Sequence, residues 1–130
     1  MPFLHSRHYS LKEAREALEE VRPLAEELAL LKQKLDARGY DIHRHGYFGG
    51  TGPNGERRFP GELERLVAIL GRLDALGVLV KGIDDGLVDF PHVRRNGEEV
   101  YLCFRAGETD IGFWHSLEGG FAGRRPIEEL

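Results

Sequence analysis

Apolar residues recur along the first third of the chain at intervals of three and four. Leu11, Ala14, Leu18, Val21, Leu24, Leu28, Leu31 and Leu35 fall on one stripe, and this predicts a helix over 10–38. Ser10 and Glu13 make a capping-box pair at its start, the hydroxyl placed to accept the Glu13 N–H and the carboxylate to reach back. Gly39 stands where the helix should stop. Pro23 lacks an N–H and crowds the carbonyl four residues back. Because the stripe stays in phase on both sides of it, the pattern predicts one helix kinked at Pro23. A second stripe, Leu63, Leu66, Val67, Leu70 and Leu73, predicts a shorter helix over 62–76, ended by Gly77. At 1.5 Å per residue the two span roughly 43 Å and roughly 22 Å. An antiparallel pairing would cover only the C-terminal half of the longer helix. Leu11, Leu18 and Val21 must then be buried on a sheet or on a second copy of the chain.

From Val78 the period changes to two. Short strands are expected at 78–81, 87–90, 100–105 and 111–115, a small antiparallel sheet over 78–115, with 116–130 as a C-terminal tail. Asn96-Gly97 is a strong hairpin signal. A strict two-residue turn there would pair Asp89 with Phe104 and put a carboxylate on the apolar face, which is costly. A longer loop or a bulge shifts the register by one and places Asp89 on the face of Tyr101 and Arg105. The shifted register is expected, with Asp89 and Arg105 as an ion pair. Residues 40–61 form a Gly-rich loop containing Pro53 and Pro60, too long for a simple helical turn. The fold class is therefore α+β: an unequal antiparallel helical hairpin followed by a small antiparallel β-meander, in one domain of 130 residues.

Composition narrows the classes of function. Hydrophobic residues at 41% and charged residues at 31% describe a chain that folds rather than a disordered one. A net charge of −4 disfavours nucleic acid and anionic membrane surfaces, and the pairs Arg57-Arg58, Arg94-Arg95 and Arg124-Arg125 read as a dispersed solvated surface. Cys103 is the single cysteine, which excludes an intrachain disulfide and fits a reducing compartment. No stretch is apolar enough for a leader or a membrane span, so a cytoplasmic location is expected. Gln33, Asn54 and Asn96 are the only amide side chains, a thermophile-like composition.

Candidate chemistry is sparse. His43 and His45 form an H-x-H pair in the long loop, and in extended chain both imidazoles would point the same way, suiting a divalent metal such as zinc. His5 and His8 read as surface residues. Glu108, Asp110 and His115 surround the last strand. A carboxylate and an imidazole at its two ends are up to roughly 23 Å apart at about 3.3 Å per residue, so only a folded-back loop would join them. Trp114 suits the core or a ligand face, and Asp84-Asp85-Gly86 is explained by turn duty. The glycines of 46–55 lack the Gly-Lys-Ser/Thr that a phosphate loop requires. No nucleophile elbow and no local Cys/His dyad is present.

The run Tyr9-Ser10-Leu11 with Glu13-Ala14, then Val21-Arg22-Pro23, His43-Arg44-His45 and Tyr47-Phe48-Gly49-Gly50, resembles the bacterial domain-of-unknown-function family 2203. So do Gly52-Pro53-Asn54-Gly55, Gly86 to Pro91, Val100 to Cys103, Gly107-Glu108, Trp114-His115 and Gly120 to Pro126, with Phe104 where that family is expected to carry Trp. The likeness covers nearly the whole chain and implies no activity. Its motifs take in His43, His45, Asp89, Glu108, Trp114, His115 and Arg124. Two functions are expected from the residues. One is an interaction or assembly module, a homodimer formed over the excess length of the first helix. The other is a divalent-metal or small-ligand-binding protein, of which a metal-dependent hydrolase is the enzymatic form. Its metal ligands would be His43, His45, Glu108 and His115, with Asp89, Trp114 and Arg124 as further site residues.

Overall fold

The Ser10 hydroxyl accepts the Glu13 N–H at 3.0 Å, and the Glu13 carboxylate accepts the Ser10 N–H at 2.9 Å. This reciprocal cap starts α1, Leu11–Ala37, which contains Pro23. The computed structural model describes residues 3–40 and 61–130. His43, His45 and the rest of the long loop lie outside the described residues.

Helix α1 buries Ala14, Leu18, Val21, Ala25, Leu28, Leu31 and Leu35. Helix α2, Gly61–Ala75, buries Leu63, Leu66, Ile69 and Leu73. Ile69 thus takes the place expected of Val67, which stands half exposed, a small rotation of the buried stripe. Exposed ion pairs join Glu20 to Arg72, Glu27 to Arg65 and Arg38 to Glu62. Each contributes little to stability, but their order shows that α2 runs antiparallel along the later part of α1. Helix α1 also packs on the sheet, and in its N-terminal half Ala14, Leu18 and Val21 are no more than 2% exposed. The length of α1 is therefore satisfied within one chain.

Five antiparallel strands form one sheet in sequence order: β1 Leu79–Gly82, β2 Leu87–Val93, β3 Glu99–Arg105, β4 Phe113–Ser116 and β5 Arg125–Pro126. The last falls within the expected tail; a two-residue strand is too short to carry an alternating pattern. It pairs Trp114 with Arg125 and Phe113 with Pro126, and an edge position tolerates the proline. Residues 94–98 make the β2–β3 connection, with the Arg94 N–H on the Glu98 carbonyl and the Gly97 N–H on the Arg94 carbonyl. This loop is longer than a two-residue turn, so Asp89 stands opposite Cys103. The one-residue shift puts Val88, Phe90, Val100, Leu102, Phe104 and Trp114 in the core beneath the helices, and Asp89, Tyr101, Cys103, Arg105 and His115 on the other face.

The register was expected; the partner of Asp89 was not. Arg105 stands opposite Leu87 at the end of the ladder, and Asp89 bonds His115 instead. Among the described residues no helix is long and apolar enough to cross a membrane.

Candidate functional site

Strand alternation brings three donor-bearing side chains to the second face of the sheet. Asp89 projects from β2, Cys103 from the facing position of β3, and His115 from β4, where it pairs with Tyr101. Asp89 and Cys103 are fully buried and His115 is 2% exposed. The carboxylate oxygens of Asp89 lie 3.1 and 3.0 Å from His115 Nε2. One carboxylate oxygen, the Cys103 Sγ and one imidazole nitrogen all lie within 4.8 Å of one another.

The hydrogen bonds fix the imidazole. His115 Nδ1 is 2.7 Å from the Ser116 carbonyl, an acceptor only, so Nδ1 carries a proton and donates it. Nε2 then faces a carboxylate, and as a second donor it makes the ring an imidazolium. Burial pulls the His115 pKa down, but the Asp89 carboxylate and the Ser116 carbonyl outweigh that and hold it above the usual histidine range. Cys103 behaves oppositely. Burial first, then the Asp89 charge, push its thiol up to about 12, against a smaller opposing pull from Arg124. A buried neutral thiol is a poor nucleophile. Since His115 Nε2 is engaged with Asp89, the trio is not a cysteine-nucleophile triad.

Because the folded-state pKa of His115 is raised, its contribution to stability is fully present below the ordinary histidine value of about 6.5 and is lost as pH rises through the folded value. Urea unfolding of the metal-free chain is expected to show this component falling as pH rises from about 6.5 through the folded value. Asp89→Asn should flatten it, and an equal slope in both proteins would contradict the pairing.

Glu108 and Arg124 sit on the flank of the trio. The Arg124 guanidinium bonds both Glu108 oxygens at 2.9 and 2.7 Å, and its Nη2 lies 3.4 Å from the Cys103 carbonyl. It also packs against the rings of Phe113 and Phe121, 4.2 and 4.7 Å from their centroids. Burial raises the Glu108 pKa, but Arg124 and the Arg105 N–H bring it below the ordinary carboxylate range. Both Glu108 oxygens are thus committed. Trp114 is in the core, flanked by Arg94 at 4.5 Å and Arg125 at 5.5 Å from its centroid, and its buried Nε1 has no partner among the described residues.

Asp89 and His115 were expected in one candidate site but not as partners, and Cys103 only as a sign of a reducing compartment. The signal lay in the alternation Tyr101, Cys103, Arg105, which the shifted register turns towards Asp89. His43 and His45 lie outside the described residues. No curated protein and no solved structure matches this chain. A family model described as uncharacterized conserved protein, DUF2203, matches residues 7–127, and the chain belongs to that family.

Proposed function

We propose that this chain binds one divalent transition metal through Asp89, Cys103 and His115, with zinc the ion its donors suit best. The observation that carries the reading is the convergence of a carboxylate, a thiol and an imidazole within 4.8 Å in a buried place. Tetrahedral bonds of about 2.0–2.3 Å set ligand atoms roughly 3.3–3.8 Å apart, so the widest pair needs to close by about 1 Å. Mixed sulfur, nitrogen and oxygen donors favour a borderline-soft cation over magnesium or calcium. The Nδ1–H bond to Ser116 is the outer support that metal-bound histidines commonly have; to take the ion, Nε2 would release its proton and its bond to Asp89. A divalent charge beside a thiol reverses the local preference for the neutral form, and thiolate plus carboxylate would balance it. Three protein donors leave a fourth position, the arrangement in which a bound water can serve hydrolysis. An assembly module draws no support from the α1 stripe, whose Ala14, Leu18 and Val21 are buried within the chain.

Protein purified without a histidine tag is expected to retain about one zinc per chain. Cobalt substitution should give a thiolate charge-transfer band that Cys103→Ser abolishes while the chain stays folded. Metal well below one per chain, with no rise in thermal stability on adding zinc, would refute the reading. Replacing His43 and His45 with alanine separates this site from a loop-histidine site: retention after that change supports the three ligands above.

A further inference from the structure

The trio is covered at one end by Arg124, tied to Glu108 and the Cys103 carbonyl and held between two phenyl rings. Beside Tyr101, on the same face, lies a segment held in a different way. Residues 3–8 have no regular secondary structure and cross to the second face of the sheet, where side-chain bonds hold them. The Glu99 carboxylate accepts the Leu4 N–H at 2.8 Å and the His5 N–H at 3.0 Å, and lies 2.7 Å from His8 Nε2. His5 Nε2 lies 2.6 Å from the Tyr101 hydroxyl. The Tyr101 ring in turn lies against the His115 ring, 5.4 Å between centroids, so one line of contacts leads from Glu99 through this segment to the trio.

Glu99 is well chosen for a clamp. Its side chain is only 7% exposed, and burial alone would favour the neutral acid. The bonds from His8, His5 and Leu4 outweigh burial and keep its pKa below the ordinary range. Three partners on one strand of chain thus depend on a single carboxylate. Phe3 and Leu4, by contrast, remain 49% and 71% exposed and add little apolar anchorage. The regular backbone pairing of this segment begins only at Tyr9, whose N–H bonds the Pro91 carbonyl. Opening residues 3–8 breaks these bonds and the packing of Arg7 over the Tyr9 ring and against Gly77 but no strand pairing, the character of a local rather than a global opening.

We propose that residues 3–8 are a latch closed by Glu99, and that its release is the route by which a metal ion reaches Asp89, Cys103 and His115. This rests on the metal-binding reading for its purpose, but the opening can be measured without it. Methylmercury takes a single sulfur donor and reports access to Cys103 whether or not Asp89 and His115 ligate an ion. Its rate of reaction with the full metal-free chain would be followed against urea concentration.

Access through the latch gives a rate nearly independent of urea at low concentrations, because little surface is exposed, and a urea-dependent branch only near global unfolding. Glu99→Gln removes the charge that three donors share, and should raise the flat branch about tenfold; the steep branch rises by a like factor, since global unfolding breaks the same bonds, and keeps its urea slope. Glu99→Asp, which keeps the charge on a shorter stem, should fall between the two. A rate that follows global unfolding at every urea concentration would overturn the latch, as would a flat branch that Glu99→Gln leaves unchanged. A latch that opens in a chain that takes up no added zinc would instead count against the metal site alone.

Discussion

Replacing Asp89 with alanine should lower the stability of the metal-free protein by about 3–5 kcal/mol. The cost comes from what is left behind. His115 is 2% exposed, and its Nδ1 is committed to the Ser116 carbonyl, so without the carboxylate its Nε2 faces a cavity with no acceptor. The ring must then either hold an uncompensated charge or lose the Nε2 proton and leave that nitrogen a buried acceptor without a donor. Natural domains have about 5–15 kcal/mol in total, so the variant would be near the limit of folding. Replacing both residues, Asp89→Leu with His115→Leu, removes both charges and restores apolar contact. Such exchanges are often neutral or stabilising, so the double variant should be more stable than Asp89→Ala. Urea unfolding of the three proteins checks this. A single-variant loss below about 1 kcal/mol would mean that the ion pair is not held as described.

The pair also marks the boundary of what the sequence discloses. Helical spacing is a local signal, and Ser10, Glu13 and the leucines of α1 report their roles within a few residues. The strands of the sheet are equally local. Its register is not, because it depends on whether the Asn96-Gly97 connection closes in two residues or five. The cost of a carboxylate on the apolar face settled that shift correctly. It did not identify the neighbour on the far side of β3, since Asp89 and His115 are on strands that never touch in the ladder. Their contact is made across Cys103 and Tyr101, and only the order of three strands brings it about. The partner of Glu108 was hidden from the sequence for a similar reason. That partner, Arg124, comes from the segment leading into β5, a strand too short to have a pattern. Val67 shows the limit at finer scale, since the face that spacing alone assigns to it is taken by Ile69, which is buried where Val67 is half exposed.

Substituting alanine for Gly86 should cost about 2–5 kcal/mol, the sum of two terms of known order. The first is conformational. Gly86 has φ +62, a left-handed geometry that costs an L-residue about 1–2 kcal/mol. The second is steric. A Cβ there would stand 2.5 Å from the Ala25 carbonyl oxygen and 2.7 Å from the Ala106 Cβ, and overpacking of this kind costs about 1–3 kcal/mol. The obstacle on one side is helix backbone, which cannot turn aside as a side chain would. Turn duty alone does not explain this glycine: it is where the β1–β2 connection presses against α1, and where the Gly86 carbonyl accepts the Ala106 N–H beyond the end of β3. Gly97 separates the two terms. It has φ +88, and a methyl group added there would meet nothing within 4 Å, so Gly97→Ala should show the conformational cost alone. Urea midpoints for the two variants measure the difference. If Gly86→Ala proves no more destabilising than Gly97→Ala, the turn does not approach the helix as closely as these distances require. If it is the costlier change, the shift should also reach Asp89, three residues along β2, and weaken cobalt binding in a way that Gly97→Ala does not.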